Sequence, residues 1–182
     1  MKKMIPFVVL TIFLFFYFLP EYLHSFILFV PMPNLFHSAL HALPVALLLV
    51  FPGTKYIQNF IMGSLYEVVN PRHKFSDILV EVEKKKGLSA ADMLGRARAA
   101  HENTFEAFCM FGIASLAATL KNVPDSLCGQ ISSVFVVSRV LYILVYVFAP
   151  KLQQKFMLRS LLFVVGQLAI MDLMLLAIKP NS

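Results

Sequence analysis

The sequence predicts an all-α fold, a polytopic bundle of membrane helices, and three observations carry that prediction. Of 182 residues, 59% are hydrophobic and only 14% are charged, where a soluble domain is about half apolar and about a quarter charged. Several apolar runs approach or exceed the roughly 18–20 residues that a membrane helix needs. The basic residues, which give a formal net charge of +6, sit between those runs. That distribution describes membrane topology rather than a surface for nucleic acid. The chain reads as one membrane domain with no room for a separate soluble one.

The first element is an additional hydrophobic helix within residues 1–34. Lys2 and Lys3 precede an apolar run that reaches Val30, broken by Pro20, Glu21 and His24. No small-x-small cleavage site follows, so an uncleaved helix near residues 4–30, kinked at Pro20, is expected. Two shorter interfacial pieces are the alternative. Pro31 and Pro33 punctuate a turn, and residues 35–182 form the main membrane domain.

The second apolar segment runs from Leu35 to Phe60 through Pro44 and Pro52-Gly53. Proline is tolerated there when neighbouring helices satisfy the freed backbone groups. Lys55, Tyr56, Gln58 and Asn59 end it at an interface, with an amphipathic tail to Tyr66. Val69–Gly87 is the one long polar stretch and is expected as a loop. Ser89 with Asp92 three residues later is a capping-box signature for the next helix. That helix crosses the membrane from Arg96 to Leu120, a rise of about 37 Å. Lys121–Gln130 is read as a turn, Ile131–Ala149 as the fourth span ending at Pro150, and Leu158–Ile178 as the fifth.

Basic residues orient the bundle. Between Asn70 and Arg98 lie seven of them (Arg72, Lys74, Lys84, Lys85, Lys86, Arg96, Arg98) against four acidic ones. The turns at 31–36 and 121–130 hold one lysine between them. Five crossings place the amino terminus, the 70–98 loop and the 150–159 loop on one side, which the positive-inside rule assigns to the cytoplasm.

Ionisable groups inside the spans carry the functional signal. Glu106 lies roughly 15 Å along the helix from Arg96, near mid-hydrocarbon, where such a group marks a site or a buried partner. Arg139 lies at similar depth in the fourth span, and Tyr142 and Tyr146 share its helical face by i, i+3, i+7 spacing. Glu106 and Arg139 are therefore expected to pair, either as a structural ion pair or beside a site. Arg159, Ser160, Phe163 and Gln167 follow at one-turn spacings in the fifth span. Several arginines suit carboxylates, and a glutamate and an asparagine suit an ammonium and amides, so a small zwitterionic, peptide-like anion fits this inventory. An arginine beside a serine also stabilises a thiolate. His101 reads as a helix-packing polar residue. Cys109 and Cys128 make neither a disulfide framework nor a metal set, and His24, His37 and His41 lack a matching ligand group, so no metal site is expected.

RARAAHENTFEAF from Arg96, then RVLYILVY from Arg139 and LRSLLFVVGQ from Leu158, in that order, resemble the membrane-associated proteins in eicosanoid and glutathione metabolism (MAPEG). The VNPR loop resembles that of bacterial members with an E-A-F motif. The resemblance covers about residues 36–178 and implies a four-helix core per subunit. It also implies a homotrimer, with glutathione as co-substrate bound between subunits near the cytoplasmic side. By motif, Asn103 and Glu106 match glutathione-contacting residues of the family's second helix. Tyr142, Tyr146 and Arg139 match residues of its third-helix motif. Arg159 and Ser160 match the pair that activates the thiol in the prostaglandin E synthase branch. Arg96 and Arg98 stand near an arginine that many members place where Ala99 is here. Cys109 replaces a proline, Phe163 stands where some members have tyrosine, and the loop after Tyr146 is longer.

The resemblance implies a glutathione transferase or peroxidase acting on lipophilic electrophiles that enter from the bilayer. The alternative is a non-enzymatic lipid-binding or lipid-presenting protein of the same family. A transporter has only the intramembrane charges in its favour, and the sequence holds no inverted repeat. The basic start and the bacterial-type motif lean towards a bacterial inner membrane, with the endoplasmic reticulum as the other location.

Overall fold

The computed structural model describes residues 34–63, 75–151 and 157–178. The expected helix at residues 4–30 and the VNPR loop lie outside them. Among the described residues the structure is helical, without a strand. Helix α1 (Ala39–Leu48) passes through a widened turn at Leu49–Thr54 into α2 (Lys55–Met62). Then come α3 (Phe75–Lys86), α4 (Leu88–Leu120), α5 (Asp125–Phe148) and α6 (Leu158–Ile178). Four rods, Ala39–Met62, α4, α5 and α6, are long and apolar enough to cross a membrane. The helical membrane bundle foreseen from composition is the one observed.

The widened turn follows from Pro52. Proline lacks an N–H, so the regular α-helical hydrogen-bond pattern cannot continue through it. The Thr54 hydroxyl donates to the Val50 carbonyl at 2.5 Å. His101 Nδ1 from α4 lies 2.8 Å from Thr54 Oγ1 and 3.1 Å from the Val50 oxygen. One ring N–H shared between those acceptors gives the buried Val50 carbonyl a second donor, which is the packing role expected of His101.

Two boundaries differ from the sequence reading. Part of the stretch expected as a polar loop is α3, whose Ile78 and Val82 are buried at i, i+4 spacing and pack with Ala91 and Leu94. Lys84, Lys85 and Lys86 occupy its last turn, where cations complement the helix dipole. The Lys86 ammonium also donates to the Ile61 carbonyl at 2.7 Å, tying down the end of α2. Because α3 runs to Lys86, α4 begins immediately after it. Gly87 at φ 87° is its cap residue and no side chain caps it, so Ser89 lies inside the first turn instead of forming a capping box. Likewise α5 starts at Asp125, behind Pro124, and the turn from Lys121 is shorter than expected.

Packing relies on small residues. The buried face of α4 is Ala91, Leu94, Ala97, Ala100, Thr104, Ala107, Phe111, Ala114, Ser115 and Ala118, and such a stripe lets helix backbones approach closely in a membrane. One core cluster centres on Phe111 stacked on Phe135, with ring centroids 4.1 Å apart. A second, towards the basic end, joins Leu94, Tyr142, Ile143 and Val147 to α3. Tyr142 in this second cluster is where the polar residues of α4, α5 and α6 meet.

Candidate functional site

A cleft of about 290 Å³ opens between α4, α5 and α6, lined by Asn103, Tyr142, Arg159, Ser160, Phe163 and Val164. Each helix supplies its residue through simple periodicity. Ser160, Phe163 and Val164 fall at i, i+3, i+4 on α6, and Asn103 lies on α4 opposite Tyr142 of α5. The Asn103 amide donates to the Tyr142 hydroxyl at 2.8 Å, which fixes both polar tips in the cleft wall. Tyr146, one turn along α5, packs its ring 5.5 Å from that of Tyr142. The Arg159 guanidinium stands 4.8 Å from the Tyr146 ring centroid. An aromatic ring this close to a guanidinium helps to hold it through cation–π attraction. The lining holds a cation, an amide and two hydroxyls but no carboxylate, so it favours an anion or a developing negative charge.

The remaining expected residues lie elsewhere. Arg96 Nε and Nη2 both donate to the Val147 carbonyl at 3.3 Å, so Arg96 ties α4 to the last turn of α5. Arg98 pairs with Glu102 at 2.9 Å and stands 4.2 Å from the Phe75 ring centroid. Glu106 is exposed and does not line the cleft. Arg139 is buried at 1% exposure and does not line the cleft, and its Nη2 donates to the Phe163 carbonyl at 3.1 Å. The expected Glu106–Arg139 pair therefore does not form. Matching depth was legible in the sequence, but Glu106 sits on an outward face of α4 while Arg139 turns inward between α5 and α6. Val164 was not foreseen as a lining residue, although it stands one turn after Ser160.

The Asn103–Tyr142 bond gives a direct test of how the cleft is held. Tyr142→Phe keeps the ring and leaves the amide without its acceptor, which costs about 1 kcal/mol. The expected reading is a lower thermal midpoint for the detergent-solubilised protein. An unchanged midpoint would show that the bond contributes nothing.

A four-helix membrane core, with a small cationic cleft between three of its helices, defines an integral membrane protein. The MAPEG family model matches residues 39–179, and the chain belongs to the MAPEG family. It is thus a membrane protein of the glutathione- and eicosanoid-related group. No curated protein and no solved structure matches it.

Proposed function

We propose that the protein is a glutathione-dependent membrane enzyme, a transferase or peroxidase acting on lipophilic electrophiles. The observation that carries this reading is the convergence of Arg159 and Ser160 with Asn103 and Tyr142 on one cleft. The thiol sits at Arg159 and Ser160; its proton leaves to water at the polar end. The guanidinium charge and the Ser160 hydroxyl, donating a hydrogen bond, stabilise the resulting thiolate. Sulfur then attacks the electrophilic carbon, a C–S bond forms, and the leaving group departs with its electron pair. With a hydroperoxide the thiolate attacks the O–O bond and releases an alcohol. A second glutathione then converts the sulfenic acid to disulfide and water. Asn103 and Tyr142 orient the tripeptide, and Tyr146 positions Arg159. The electrophile comes from the bilayer past Leu161 and Val164, both exposed on α6.

The site is completed in a homotrimer. Glu106 is exposed one turn beyond Asn103, at a depth where a carboxylate against lipid is costly; a neighbouring copy removes that cost and brings the glutamate to an intersubunit ligand. The mass of the detergent complex by light scattering decides this, and a monomer that turns over glutathione would remove it. The host membrane is read as a bacterial inner membrane.

The function is tested by incubating purified protein with glutathione and either chlorodinitrobenzene or a fatty-acid hydroperoxide. Turnover saturable in glutathione is expected. Saturable fatty-acid binding with no glutathione consumed would favour the lipid-presenting alternative.

A further inference from the structure

Arg139 is the largest fully buried side chain among the described residues, and stability alone does not explain it. Replacing a buried charge with an apolar side chain of similar size is often neutral or stabilising. Here the Nε and Nη1 donors have no hydrogen-bond partner among the described residues. What the guanidinium does is specific. Its Nη2 donates to the Phe163 carbonyl of α6, and it stands 5.0, 5.4 and 5.7 Å from the ring centroids of Phe163, Tyr142 and Phe135. The space it fills exists because residue 166 is glycine. A Cβ there would lie 2.5 Å from Nη2, 2.9 Å from Nε and 2.8 Å from the Ser138 hydroxyl oxygen.

One side chain of α5 thus engages two points of α6 a turn apart, a carbonyl that accepts and a glycine that makes room. Such a key admits one rotation and one axial position of α6. Phe163 lies one turn after Arg159 and Ser160, so the same key sets where those two groups stand relative to Asn103 and Tyr142. We propose that Arg139 is a positioning residue, which together with Gly166 fixes the register of α6 and so aims Arg159 and Ser160, without itself contacting glutathione. The kinetic part of this inference rests on the glutathione reading; the structural part does not.

The test compares Arg139→Met, which keeps length and removes the donors, with Gly166→Ala, which keeps the charge and displaces it. Each is expected to lower kcat about tenfold or more through misplacement of the reacting groups, with KM for glutathione within about twofold of wild type. The double variant is no worse than Arg139→Met alone, because both changes break one contact. Arg139→Lys, which can still donate to the carbonyl, recovers part of kcat. Amide hydrogen exchange accelerates over residues 158–166 in both single variants and not in the Phe111–Phe135 region. Wild-type kcat and exchange in Gly166→Ala would overturn the proposal, even if Arg139→Met fails to fold. A raised KM with kcat intact in Arg139→Met would make Arg139 a ligand contact instead. Should the wild-type protein show no turnover, the functional reading fails while the exchange measurement still decides the register claim.

Discussion

Arg159→Ala is expected to reduce glutathione-dependent turnover by about two to three orders of magnitude, the range seen when one preorganised stabiliser of developing charge is removed. Arg159 is the cation of the cleft lining, and the Tyr146 ring holds its guanidinium in place. Without it the proposed thiolate would form with only neutral donors around it, where a poorly paired anion is disfavoured. On the proposed mechanism the loss falls mainly on kcat, because there the arginine would act on the sulfur charge more than on the rest of the tripeptide. Arg159→Lys keeps a charge but loses the fixed fork of donors, so it recovers only part of the rate. The check is steady-state kinetics with varied glutathione. Full activity in Arg159→Ala would remove this residue from the mechanism.

The largest stability effect is expected at Gly129, far from the cleft. The segment before α1 crosses α5 there at backbone contact. The Leu35 amide donates to the Ser133 hydroxyl at 3.0 Å, and that hydroxyl donates to the Gly129 carbonyl at 2.8 Å. A Cβ at residue 129 would collide with the Phe36 carbonyl oxygen and with Asn34 Oδ1. One of these is main chain, so no rotamer change relieves the clash, and Gly129→Ala costs about 1–3 kcal/mol as overpacking. Gly95 is the internal control. A Cβ there meets nothing within 4 Å, and alanine is the better helix former by about 1 kcal/mol. Thermal midpoints in detergent should therefore fall for Gly129→Ala and stay level or rise for Gly95→Ala. Equal midpoints would contradict the close approach.

Much of this was legible in the chain because a bilayer leaves the backbone few options. The last span, Leu158–Ile178, coincides with α6, since a predominantly apolar run of that length in a bilayer admits only a helix. α3 was not legible as a helix because its composition is polar; the only signal was the spacing of Ile78 and Val82, too short a stripe to outweigh the charges around it. The capping box at Ser89 and Asp92 was a true local preference overridden by Gly87, whose position depends on where α3 ends. Asn103, Tyr142, Arg159 and Ser160 line one cleft. Their helix faces follow from periodicity, and three helices packed on small residues bring those faces together. The partner of Arg139 was not legible. Its acceptor is a main-chain carbonyl, which every residue carries and no sequence pattern marks.

The central claim is that this cleft holds glutathione, and calorimetric titration of the detergent-solubilised protein tests it most directly. Wild type should release saturable heat, and Asn103→Leu, which removes an amide from the cleft wall, should bind about tenfold more weakly, the equivalent of about 1.4 kcal/mol. No saturable heat with wild type, or equal affinity in the two proteins, would contradict it.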